Sequence, residues 1–176
     1  MVVNIMFNKE NFKEIGKDIF VHNNFVYPDE CDQLIQIADG LPEEDWINPY
    51  PQEKDNFEFC QHGRMDVTML TSIKNRLKDL LEENLYLGDS INIIRMKKGS
   101  RWQTHSDNVG YLKARNASKL LTNEDDFKLV QNSLYGIVMY FNDFEGGELI
   151  YPNQNIEYKP LKGDLVIHSS DDHCFH

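Results

Sequence analysis

The chain has 176 residues, 40% of them hydrophobic, which is enough apolar material for one domain with its own core and too little length for two. Its 18 basic against 29 acidic side chains leave a net charge of -11, a field that repels a phosphate backbone and argues against nucleic acid as a partner. No run approaches the roughly 18 apolar residues of a membrane span, and the start Met1-Val2-Val3-Asn4-Ile5-Met6 lacks the charged and apolar regions of a secretion signal, so the expectation is a soluble, cytoplasmic protein with no membrane partner.

After a polar lead-in, residues 18–25 read as a short strand, and Tyr27-Pro28-Asp29-Glu30 supplies the proline and early acids of a helix start. Cys31 lies at the head of a helix over 31–39, where Cys31, Leu34, Ile35 and Ala38 recur at helical spacing and Gly40 marks the end. Three prolines and many polar residues make 41–63 loop and edge structure. A second amphipathic helix is predicted over 70–84, with Ile73, Leu77, Leu80 and Leu81 on its apolar side. Beyond residue 88 the character changes to strands, at 90–96, 134–141, 148–151 and 164–168. Residues 109–133 form a long, charged insertion between them. Cys31, Cys60 and Cys174 are odd in number and lack CxxC spacing, so a reducing compartment is expected rather than a disulfide framework. Short strands in series after two helices predict an all-β core with flanking helices (α+β), an antiparallel double sheet or barrel backed by two N-terminal helices.

The chemistry-bearing residues are His105 and Asp107, two apart, and the histidines that follow the last strand. In extended backbone, side chains two apart leave the same face about 7 Å from each other and can converge on one ion. A third ligand has to come from a strand distant in sequence but adjacent in the sheet, and 163–168 leads to His173 and His176. Two imidazoles and one carboxylate on one side of a metal leave the other positions open, the arrangement of non-haem Fe(II) oxygenases, though the same set also suits zinc. His168, at the strand end, reads as a partly buried, hydrogen-bonded imidazole with no part in the chemistry.

Several segments in order carry a resemblance. Residues 20–31 (Phe-Val-His-Asn-Asn-Phe-Val-Tyr-Pro-Asp-Glu-Cys), 94–107 (Ile-Arg-Met-Lys-Lys-Gly-Ser-Arg-Trp-Gln-Thr-His-Ser-Asp), 138–152 (Val-Met-Tyr-Phe-Asn-Asp-Phe-Glu-Gly-Gly-Glu-Leu-Ile-Tyr-Pro) and 160–167 (Pro-Leu-Lys-Gly-Asp-Leu-Val-Ile) resemble the prolyl-4-hydroxylase type of Fe(II)/2-oxoglutarate-dependent dioxygenase. The resemblance implies a double-stranded β-helix, or jelly roll, as a single domain over 1–176. It implies His105, Asp107 and His176 as iron ligands, His176 being favoured over His173 by its distance from the strand. It further implies 2-oxoglutarate and O2 as cosubstrates, with decarboxylation to succinate and CO2, and L-ascorbate as an auxiliary reductant.

Family relatives anchor the distal carboxylate of 2-oxoglutarate on a Lys or Arg beyond the distal histidine, so the sequence reads as lacking its last C-terminal strand or strands. Tyr140 falls where some relatives use a tyrosine hydroxyl for that carboxylate. Met96 stands where many have a cosubstrate-contacting tyrosine, a contact that Trp102 or Asn92 is expected to replace. Arg101 and Trp102 precede the ligands and are candidates for the substrate mouth, while Gly146-Gly147 is expected to be a tight turn. The expected substrate is a prolyl or related side chain of a peptide or protein, and the acidic surface favours a basic one. The alternatives are a free amino acid or other small molecule, or a non-catalytic metal-binding jelly-roll module. Whichever metal binds, occupancy should fall as acid protonates the histidines.

Overall fold

The structure is a computed structural model that describes residues 11–48, 57–61, 68–81, 91–100, 104–105, 107, 135–170, 174 and 176. In chain order the described elements are β1 (Lys13–Gly16), β2 (Ile19–His22), α1 (Pro28–Asp39), β3 (Phe57–Gln61), α2 (Thr68–Leu80), β4 (Asn92–Met96), β5 (Tyr135–Met139), β6 (Leu149–Tyr151), β7 (Ile156–Tyr158) and β8 (Leu165–Ser169). Single 3₁₀ turns occur at Glu43–Asp45 and Pro152–Gln154.

Strand β8 is buried at all five positions, as befits a strand paired on both edges and covered on both faces. It lies between β2 and β5 in a four-stranded antiparallel sheet of order β1-β2-β8-β5. Alternation along these strands sorts two cores. Phe20, Leu165 and Ile167 face Cys31 and Leu34 of α1 and Leu70, Ile73 and Leu77 of α2, with Tyr135, Ile137 and Met139 packed alongside. On the opposite face Ile19, Val21 and Val166 gather with Tyr151 and Cys174. The register sets Gly136 across from His168 and Ile137 across from Ile167, so Gly136 and His168 share the face turned away from the helices.

The two helices are fixed to each other at one point. Pro28 opens α1, and the backbone N–H of Tyr27 donates to Glu30 Oε2 at 2.9 Å, so the helix begins three residues before the position that apolar spacing alone marks. The guanidinium of Arg76, on α2, forks onto both oxygens of Glu30 at 3.0 and 2.7 Å and also donates to Phe25 O at 3.1 Å. Gly40 ends α1, as expected, in right-handed rather than left-handed geometry.

The remaining strands pair as β3 with β4 and β6 with β7. Among the described residues these sheets do not close into a barrel. Strand β3 falls inside the stretch expected to be loop and edge. Strands β1 and β7 are the unforeseen elements: β1 carries exposed Lys13 and Glu14 and lacks the apolar alternation that marks a strand, while β7 alternates over Ile156-Glu157-Tyr158 but is only three residues long. The expected turn at Gly146-Gly147 is present, both residues having positive φ. Cys31 and Cys174 are buried. No helix among the described residues is long and apolar enough to cross a membrane. The insertion 109–133 lies outside the described residues.

Candidate metal centre

His105 and His176 face each other through their backbones before their side chains meet. The N–H of His105 donates to His176 O at 2.6 Å and the N–H of His176 to His105 O at 2.9 Å, the reciprocal exchange of a hydrogen-bonded antiparallel pair. That pairing brings the imidazoles together, ring centroids 4.7 Å apart. Asp107, two residues on, turns its carboxylate toward both rings: Oδ1 is 3.7 Å from His105 Nε2 and 3.8 Å from His176 Nε2. One donor atom from each of the three lies within 4.8 Å of the others. Ligands sharing an ion at about 2.1 Å and right angles stand about 3 Å apart, so small side-chain rotations close these gaps and the donor set fits a divalent metal.

Two of the three candidate donors have surroundings that suit that role. His176 Nδ1 lies 2.9 Å from Cys174 O; the carbonyl can only accept, so Nδ1 carries the proton and Nε2 is left with its lone pair toward Asp107. Burial, with the neighbouring His168 and His105 imidazoles adding to it, pushes the His176 pKa down to about 4, only partly offset by Cys174 O and Asp107. The imidazole therefore stays neutral well below the usual histidine range. Burial acts on Asp107 in the opposite sense, but its hydrogen bond to His168 and the attraction of the three imidazoles outweigh it and hold the carboxyl below its ordinary value.

His168 was expected to be a partly buried, hydrogen-bonded imidazole; it is hydrogen-bonded but completely buried, and its partner is the second carboxylate oxygen of Asp107, His168 Nε2 lying 3.1 Å from Oδ2. Its Nδ1 lies 2.8 Å from the Tyr151 hydroxyl, and its ring is 4.1 Å from that of His176, centroid to centroid. A Cβ on Gly136 would fall 1.9 Å from Asp107 Oδ2 and 2.5 Å from His168 Nε2, so the carboxylate occupies the space that glycine leaves. Sequence reading missed Gly136, Tyr151 and the partner of His168. The β5–β8 register, which no local pattern encodes, sets Gly136 opposite His168, and the Tyr151 hydroxyl reaches His168 from β6.

Of the residues expected to meet the cosubstrate, Tyr140 follows β5 and packs against the cluster of Tyr151, Val166 and Cys174, on the triad's side of the sheet. Burial, with Tyr158 and Asp164 nearby, pushes its phenol pKa far up, so it remains a protonated donor at physiological pH. Asn92 opens β4 at an exposed position, across from Gln61. Trp102, Arg101 and His173 lie outside the described residues. Asp164, buried at the head of β8, accepts from Asn23 Nδ2, the Tyr158 hydroxyl and the Leu161 N–H at 2.8, 2.6 and 2.8 Å, a fully satisfied structural carboxylate.

No family model and no curated protein matches the sequence. Among solved structures the chain is similar to the viral collagen prolyl hydroxylase of Paramecium bursaria Chlorella virus-1, determined as a complex with 2OG, at 19% identity and a TM-score of 0.64 over 92% of this chain and 87% of that one. At that identity the likeness is one of fold: a β-sheet core with two helices, in which His105, Asp107 and His176 converge.

Proposed function

We propose that the chain is an Fe(II)- and 2-oxoglutarate-dependent dioxygenase, built on a single jelly-roll domain, that hydroxylates a prolyl or related side chain of a peptide. The observation that carries this is the convergence of two imidazole nitrogens and one carboxylate oxygen within 4.8 Å. Fe(II) held by His105, Asp107 and His176 would supply the redox chemistry by which O2 and 2-oxoglutarate yield succinate, CO2 and a hydroxylated substrate carbon.

The chain's own part is placement. His105 and His176 are locked by their mutual backbone bonds, His176 is held in the ligating tautomer by Cys174 O, and Asp107 presents one oxygen to both. Tyr140 is the candidate donor to the distal carboxylate of 2-oxoglutarate, since a buried carboxylate needs a hydrogen-bonding partner. Trp102 and Asn92 remain candidates for further contacts with it. A peptide substrate is supported by the shared fold with a collagen prolyl hydroxylase, and the net charge of -11 favours a basic one.

The test is succinate formation with Fe(II), 2-oxoglutarate and O2, alongside anaerobic absorption of the Fe(II)/2-oxoglutarate complex. Peptide and free amino-acid panels, read by a mass gain of one oxygen, separate the substrate classes, and omission of ascorbate shows whether it sustains turnover. His105→Ala should abolish both signals. Zinc binding without an Fe(II)/2-oxoglutarate chromophore or succinate would replace the oxygenase with a metal-binding module.

A further inference from the structure

We infer that His168, held by Tyr151, is the positioning residue that fixes Asp107 as a one-oxygen ligand and so keeps the remaining metal positions open. The inference rests on the metal-centre reading above. The two oxygens of Asp107 have different surroundings: Oδ1 faces His105 and His176 at 3.7 and 3.8 Å, while Oδ2 is 3.1 Å from His168 Nε2. An ionised carboxylate only accepts hydrogen bonds, so Nε2 carries a proton and donates it to Oδ2. Nδ1 faces the Tyr151 hydroxyl at 2.8 Å, which can give or take a hydrogen bond. The chain from Tyr151 through His168 to Asp107 is therefore satisfied at every link.

Both members of the pair are buried completely. Packing alone would be served by apolar side chains, and burying a phenol and an imidazole is costly unless each is bonded. The polar pair therefore has a use that filling space does not explain. The three residues behind Asp107 stand on separate strands, Gly136 on β5, Tyr151 on β6 and His168 on β8. Gly136 and His168 are directly opposed in the sheet, and the absent side chain of Gly136 is what admits Oδ2. A carboxylate that swung to ligate through both oxygens would break the bond to His168 and occupy a coordination position needed by a two-oxygen cosubstrate and O2.

Co(II) alone is the probe, since its visible bands report coordination number without turnover. The wild-type protein, His168→Leu, His168→Gln and Tyr151→Phe are titrated, with circular dichroism as the check on folding. His168→Leu should bind Co(II) roughly 10- to 100-fold more weakly and with altered visible bands. His168→Gln, whose amide N–H can reach Oδ2, should recover the wild-type spectrum and most of the affinity, which a purely space-filling role would not produce. Tyr151→Phe removes one oxygen and should give a smaller loss in the same direction. Wild-type affinity and spectrum in His168→Leu would overturn the inference and leave the metal centre standing. If that variant does not fold, unchanged affinity and spectrum in Tyr151→Phe overturn it instead. Failure of the wild-type protein to bind Co(II) would overturn the metal centre and the inference with it.

Discussion

At the scale of single residues, the centre depends as much on an absent side chain as on those present. Gly136→Ala would place a methyl group on Asp107 Oδ2 and against His168 Nε2. Overpacking of that kind costs about 1–3 kcal/mol, and because the methyl meets the tip of a side chain the fold should survive while the carboxylate is displaced. The expected outcome is a modestly lowered Tm together with Co(II) affinity down by an order of magnitude or more, measured by thermal unfolding and titration. The pH response follows from His176. Its folded pKa of about 4 lies below the ordinary 6.5, so between those values the unfolded chain binds more protons than the folded one. Metal-free stability is therefore fully present above 6.5 and is lost progressively as pH falls toward 4. Denaturant midpoints taken across that window should slope downward on acidification, and His176→Phe should flatten the slope. His105, Asp107 and His176, which the structure brings together, were legible as candidates in the sequence because ligand chemistry restricts which side chains can serve. Gly136 and Tyr151 were not, because a glycine or a tyrosine in a strand looks the same whether it backs a carboxylate or fills a core.

At the scale of elements, legibility followed apolar periodicity. Helices α1 and α2 show it clearly, with Leu34, Ile73 and Leu77 buried where the spacing puts them, and β8 shows it as the apolar run Leu165-Val166-Ile167. Strand β1 is an edge, held to β2 by backbone pairing and a turn at Asp18 with positive φ, and its side chains carry little of that signal. The joint between the helices was equally invisible, since nothing in a sequence pairs Arg76 with Glu30. Arg76→Met removes the fork onto Glu30 and the bond to Phe25 O, and it leaves a partly buried carboxylate with the Tyr27 N–H but without its counter-charge. The expected loss is about 2–3 kcal/mol in denaturant unfolding. The Arg76 hydrogen bond, with smaller help from the Tyr27 N–H, lowers the Glu30 pKa against the opposing effect of burial. Its stabilisation is present above the ordinary carboxyl value of 4.5 and disappears as pH falls through the lower folded value. The variant should therefore lose part of the wild-type sensitivity to acid in that range.

At the scale of the whole molecule, the sheet β1-β2-β8-β5 separates a helix-covered core from a second, smaller apolar cluster on the triad's side. The triad joins the segment at 105–107 to the end of the described chain, so a metal that binds only the folded form should stabilise the entire domain. At a hundredfold excess over Kd the gain is about 2.7 kcal/mol, or a Tm rise of about 5–10 °C for a chain of this size. Differential scanning fluorimetry with and without Co(II) should show the rise in the wild-type protein and lose it in Asp107→Ala. The reciprocal backbone bonds between His105 and His176 carry a kinetic consequence as well. Two segments far apart in sequence must find each other before those bonds can form, and closing such a loop is an entropic search that local helix formation does not shorten. The ligands acquire their spacing only when that search ends, so metal capture by a refolding chain would act as a clock for its last long-range step.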